Sequence, residues 1–278
     1  MAYAPVLGGA QNFRFPIQFE NSPINGTSFA CTLIKQLSND GTDTVVSHGS
    51  GCFWRHNRHV YLLTARHVLT GRSPFDDTIL STTGYVPQRI TVFPTRIFLN
   101  EWQRGSITID IDQAQPNWLQ DPNFDELRTD IAAILLFEDE NSEIRCVNDE
   151  PDIFESIYTL VGMECSVVGY PTPLFTDLMT PIWRRGSIAS EPRLPLDGKP
   201  MFLLDAATSP GFSGAPVFRQ HFGPLPIHRN GELTMQLDNI RKISLVGIYA
   251  GRLRHAHVNG EVPFVFYANR IPRLFNGL

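Results

Sequence analysis

The sequence predicts an all-β protein built as two six-stranded antiparallel β-barrels. Short runs of β-branched and aromatic residues are punctuated by Gly, Pro, Asn and Asp, and few stretches keep a 3.6-residue apolar period over ten residues. Gly and Pro number 21 each among 278 residues and are scattered, so many short elements must be joined by turns. Six strand-like runs fall on each side of a polar, acidic stretch, and closing a sheet on itself is the full solution to exposed strand edges. The length leaves room for two medium domains with ample core.

The elements follow in chain order. Residues 1–25 hold no convincing strand or helix and read as a strap across the surface. The first barrel, 26–140, takes strands at 29–34, 51–54, 60–64, 89–93, 106–111 and 131–137, with His56 and Asn57 as a hairpin turn between the second and third. After Phe137 comes Glu-Asp-Glu-Asn-Ser-Glu, where charge and turn formers cluster without apolar periodicity, and the linker is placed at 141–154. The second barrel, 155–278, takes strands at 166–170, 183–189, 201–206, 215–218, 243–249 and 264–268. Residues 269–274 close the chain as a helical turn.

Composition narrows the function classes. With 42% apolar and 18% charged residues, the chain is not globally disordered. Its net charge of −5 and the lack of a Lys/Arg stripe leave nothing to neutralise phosphates, so nucleic acid is not an expected partner. The strongly apolar run 131–137 is far short of the roughly 20 residues that span a bilayer, so no membrane role is expected. The first ten residues lack the basic start and apolar core of a secretory signal, which makes the cytoplasm the expected location. Cys31, Cys52, Cys146 and Cys165 form no C-x-x-C pair and no zinc-like spacing. Four buried thiols are expected, with no metal and no organic cofactor.

Three segments each carry one reactive side chain at the end of an apolar strand. In Val60-Tyr-Leu-Leu-Thr-Ala-Arg-His67 a strand runs into a turn holding a histidine. In Asp130-Ile-Ala-Ala-Ile-Leu-Leu-Phe137 a carboxylate precedes seven apolar residues, and in Pro210-Gly-Phe-Ser213-Gly-Ala-Pro-Val217 a serine lies among small residues. Singly, each has a plain structural explanation: a structural histidine, a solvated strand start, a Gly/Pro turn. Together they are the parts acyl transfer needs, a weak nucleophile, a base and a carboxylate to orient it. The flanking glycines let backbone N–H groups approach a ligand without a Cβ in the way.

In that order T-A-x-H-V, D-I-A and G-x-S-G-x-P-V resemble the trypsin-like, or chymotrypsin-fold, serine peptidases, and residues 205–217 look most like the bacterial HtrA-like branch. The likeness spans roughly residues 50–270. The order His, Asp, Ser differs from the Ser, Asp, His of α/β-hydrolases, and Gly211-Phe-Ser-Gly-Ala215 does not match their G-x-S-x-G elbow. The resemblance implies a serine endopeptidase with His67, Asp130 and Ser213 as its catalytic triad and the backbone N–H groups of Gly211 and Ser213 as its oxyanion hole. It sets the site in the cleft between the barrels and implies protein or peptide substrates. Val246-Gly-Ile-Tyr-Ala-Gly251 is similar to the family's cleft strand, so Ala207, Thr208, Tyr249, Ala250, Gly251 and Arg252 are the implied substrate-binding residues. No PDZ module is expected after the peptidase region.

The chain also departs from the family. Secreted animal-type members have Asp before the nucleophile, to pair with a newly cut N-terminus; here that residue is Phe212, so activity without propeptide cleavage is expected. Val68 replaces the Cys that follows the catalytic His in those members, leaving Cys52 without the usual mate and supporting a reduced, intracellular setting. Ala207 stands at the base of the implied specificity pocket in place of Asp, so small or medium apolar side chains are the expected preference. The long connection between His67 and Asp130 holds 73–77 and 113–128, candidate loops for substrate or a regulatory partner. Two other readings are a catalytically silent binding module of the same fold and an esterase using the same triad.

Overall fold

A computed structural model describes residues 13–16, 18–19, 22–23, 26–98, 101–141, 143–150, 153–154, 159–171, 179–223, 225–229, 232–236, 241–254 and 260–278. The protein is mostly β, with two barrel units, as the sequence predicts. The second unit is a closed six-stranded barrel in the order Glu164–Gly169, Ile182–Ile188, Met201–Asp205, Glu261–Tyr267, Arg241–Arg254, Pro216–Phe222. These are the six strands expected in the second half. A separate hairpin, Leu225–Arg229 with Glu232–Gln236, is an addition to that reading.

The first unit is a seven-stranded half-barrel in the order Ile107–Asp110, Arg89–Val92, Cys31–Leu37, Val45–His56, His59–Thr64, Ala132–Glu138, Trp118–Gln120. Six of these answer to the expected strands, so the count is corrected from six to seven. The extra strand, Trp118–Gln120, is a three-residue edge paired with Ala132–Ile134, too short to show alternation in sequence. The hairpin turn falls at Asn57, whose φ of 54° is the left-handed conformation that Asn tolerates in a two-residue loop.

Side chains alternate across each strand, and both faces are covered, which explains the continuous apolar runs. Ile34, Phe53, Leu62 and Ile134 turn into the half-barrel. Their neighbours Leu33, Cys52, Leu63 and Ala133 turn the other way, into a second cluster shared with Val168, Phe218, Ile248 and Phe266 of the closed barrel. The interior of the closed barrel takes the alternate residues Val167, Val217, Tyr249 and Val265. The two units are thus joined by a core of their own.

Two expectations change. Within 1–25, Phe13–Pro16 pairs antiparallel with Glu101–Arg104, which pairs in turn with Thr95–Phe98; residues 1–12 lie outside the described residues. In the 141–154 stretch, Ile144, Cys146, Val147 and Ile153 are buried. Asp139 and Asp149 bind the Arg55 guanidinium at 3.0 and 3.1 Å, so the acids that resemble a solvated tether are ion-pair partners. The closing turn forms a 3-10 helix, Ala268–Phe275, whose Phe275 ring meets Tyr61 edge-on at 5.0 Å on the first unit.

Candidate active site

Strand register brings His67 to Asp130. Thr64 pairs with Ala132 at one end of two antiparallel strands, so Asp130, two residues before Ala132, and His67, three after Thr64, both lie just beyond that end. The chain then turns through Ala65 into the short helix Arg66–Thr70, which Gly71 ends in the left-handed conformation. Asp130 is fully buried and accepts two bonds from His67: the backbone N–H at 2.8 Å and ring Nδ1 at 2.6 Å. Both carboxylate oxygens act on one residue, so ring and backbone are fixed together and Nε2 is the nitrogen left for other work.

Ser213 sits in a turn that only glycine permits at two positions. Gly211 has φ of 98° and Gly214 of 86°. A Cβ on Gly214 would also stand 2.0 Å from Thr64 Oγ1 and 2.2 Å from the Ser50 carbonyl oxygen. Phe212, between them, is buried in the closed barrel with its ring edge-on to Tyr249 at 6.5 Å. The turn's N–H groups divide cleanly. Phe212 donates to Ser209 O, Gly214 to Tyr249 O and Ala215 to Phe212 O, while the Gly211 and Ser213 N–H groups have no partner among the described residues.

A residue of the first unit reaches into this turn. Ser50 is buried; its hydroxyl donates to Gly211 O at 2.7 Å and accepts from the Tyr170 N–H at 2.8 Å, and its own N–H donates to Ser213 O at 2.8 Å. Ser50 was absent from the expected site. The signal available in sequence is Gly49-Ser50-Gly51, since glycines inside a strand mark close approach of another backbone.

His67, Pro210, Gly211 and Ser213 line one cavity of about 550 Å³, with no hydrogen bond between His67 and Ser213. Another wall is made by 46–48, of the strand Val45–His56, and by residues within 80–87, from the connection that follows His67. Burial, aided by the Lys35 charge, lowers the His48 pKa, so this wall carries a neutral imidazole at pH 7. The expected substrate-binding residues are not among those that line this cavity. Ala207 is exposed, Thr208 Oγ1 is 2.7 Å from the buried Tyr249 hydroxyl, and Ala250 is buried. Gly251 is half-buried, and Arg252 pairs with Glu261 at 2.9 Å. Burial raises the Tyr249 pKa, against the opposing Thr208 hydrogen bond, so this phenol stays neutral.

The architecture, a half-barrel and a closed barrel with a histidine held by a buried aspartate on one and a glycine-flanked serine on the other, is that of a chymotrypsin-fold hydrolase. Residues 49–223, more than half of the chain, match the trypsin-like peptidase domain. The chain belongs to the trypsin-like serine peptidase family, whose substrates are proteins or peptides. No curated protein matches it.

Proposed function

We propose that this protein is an active serine endopeptidase with Ser213 as nucleophile, His67 as base and Asp130 as the group that orients it. The observation that carries this reading is the double hold of Asp130 on His67 beside the cavity shared with Ser213. Ser213 Oγ attacks the scissile carbonyl carbon while its proton passes to His67 Nε2. The C–N bond then breaks, the proton goes to the leaving amine, and an acyl-enzyme remains. Water repeats the sequence in reverse, releasing the acid and restoring the serine. The oxyanion is held by the Gly211 and Ser213 N–H groups, which have no partner among the described residues. His67 and Ser213 need only close together when a substrate fills the cavity, since such bonds tighten in the complex.

Phe212 supports activity in the uncut chain, because its buried ring anchors the turn where an ion pair to a new N-terminus would otherwise be needed. Four unbonded buried thiols favour a reducing compartment, the cytoplasm, as the working location. Small or medium apolar side chains remain the proposed preference, since Ala207 stands where the resemblance sets the base of the specificity pocket, in place of Asp. A fluorophosphonate probe should label wild type and not Ser213→Ala, and a peptide library should be cut only by wild type. Absence of labelling in folded wild type would mean a silent binding module; labelling with ester but no peptide turnover would mean an esterase.

A further inference from the structure

We infer that Ser50 is a positioning residue that holds the Ser213 turn in its oxyanion-binding conformation. The inference rests on the reading of Ser213 as nucleophile. Ser50 lies 161 positions from Gly211 and belongs to the strand Val45–His56 of the other unit. It binds the turn twice. Its hydroxyl donates to the Gly211 carbonyl and its N–H to the Ser213 carbonyl.

Each carbonyl belongs to a rigid peptide plane, so fixing it fixes the N–H on the opposite side. The Gly211 carbonyl sets the plane between residues 211 and 212, and the Ser213 carbonyl sets the plane between 213 and 214. The plane between them carries the Ser213 N–H, and its own carbonyl, Phe212 O, accepts from Ala215. Three successive carbonyls are therefore engaged, two of them by Ser50. A glycine such as Gly211 could otherwise rotate freely, taking the adjoining N–H out of line.

Ser50 is itself held on all sides. Its hydroxyl accepts from the Tyr170 N–H, its carbonyl accepts the Thr64 hydroxyl at 2.7 Å, and a Cβ on Gly169 would stand 2.6 Å from its Oγ. One hydroxyl thus joins Tyr170 and Gly211 of the closed barrel through the half-barrel. An alanine at 50 keeps the backbone N–H bond to Ser213 and removes only the bond to Gly211 and the one from Tyr170.

The test compares wild type, Ser50→Ala and Thr64→Val in fluorophosphonate labelling, peptide kcat and KM, and affinity for a peptide aldehyde. Ser50→Ala should lower kcat, labelling rate and aldehyde affinity about 10- to 100-fold, short of the 10²–10³ lost with a whole oxyanion donor. KM should stay within about twofold, as should the affinity of Ser213→Ala for the same peptide with and without Ser50→Ala. A purely structural serine would lower the melting temperature without this split. Thr64→Val, which frees only the Ser50 carbonyl, should give a smaller loss in the same quantities and serves if Ser50→Ala does not fold. Labelled Ser213 with unchanged kcat and aldehyde affinity in the variants overturns the Ser50 role alone; unlabelled wild type overturns the nucleophile reading beneath it.

Discussion

Asp121 and Arg270 stand 149 positions apart in the chain, and the Arg270 Nε donates to Asp121 Oδ2 at 2.7 Å. Their side chains are 1% and 10% exposed. Asp121 belongs to the half-barrel's last loop and Arg270 to the closing 3-10 helix, so the pair ties the C-terminal segment back to the first unit. The neighbouring Gln120 accepts from Arg66 Nε at 3.0 Å, which links this anchor to the helix that carries His67.

Removing one partner leaves the other charge buried and unpaired. Arg270→Met should cost about 3–5 kcal/mol in urea unfolding, while Asp121→Asn combined with Arg270→Met should recover most of it. With Asp121→Asn also measured alone, a double-variant loss equal to the sum of the two single losses would show that the pair is not coupled.

Asp130→Asn should cut kcat about 10⁴-fold, as loss of the orienting carboxylate does in such triads, because the amide cannot hold the same His67 tautomer. Circular dichroism should be unchanged. A loss below tenfold would mean that another group orients His67.

Gly214→Ala meets two penalties at once, a Cβ within 2.2 Å of fixed oxygens and a left-handed φ. Overpacking and the left-handed cost together should destabilise by about 2–4 kcal/mol. Ala215 is the control: it has no such conformation, and Ala215→Gly should cost far less than this in the same denaturant series.

Phe212→Ala should cost about 3–5 kcal/mol, the range for emptying a buried aromatic site, and should also lower kcat by loosening the turn on each side. Phe212→Leu should retain most of both. Activity of Phe212→Ala equal to wild type would remove the ring as the turn's anchor.

Alkali should weaken the fold before it touches the proposed mechanism. Burial pushes the Cys165 thiol from its ordinary value near 9 up to about 11. Above pH 9 the unfolded chain has lost this proton and the folded chain has not, so stability falls as pH rises from 9 towards 11. Cys31, Cys52 and Cys146 shift in the same direction, by burial. Unfolding free energies measured from pH 8 to 10.5 should decline, less steeply in Cys165→Ala. All four thiols should also resist iodoacetamide at pH 8 until urea is added.

Much of the fold is legible in the sequence because its strands are short, apolar and separated by turn formers. All twelve expected strands recur, and the 3-10 helix Ala268–Phe275 covers the expected closing turn. Trp118–Gln120 is not legible because three residues give no period, and the pairing of Phe13–Pro16 is not legible because its partner Glu101–Arg104 lies far along the chain. The burial of Ile144, Cys146, Val147 and Ile153 is missed for a related reason: acids that pair with Arg55 have the same composition as acids that face water.

The inventory is written in the residues: a histidine, a carboxylate and a glycine-flanked serine, each at the end of an apolar run, in the order of the trypsin-like peptidases. Local chemistry suffices for this, since glycine in a tight turn and apolar alternation in a strand are local demands. How those parts are held depends on packing between distant segments. Asp130 grips His67 through the register of two strands, Ser50 crosses from one unit to fix carbonyls of the other, and Arg270 returns to Asp121. Each contact joins residues more than 60 positions apart, where chain proximity carries no information and packing alone selects the partner.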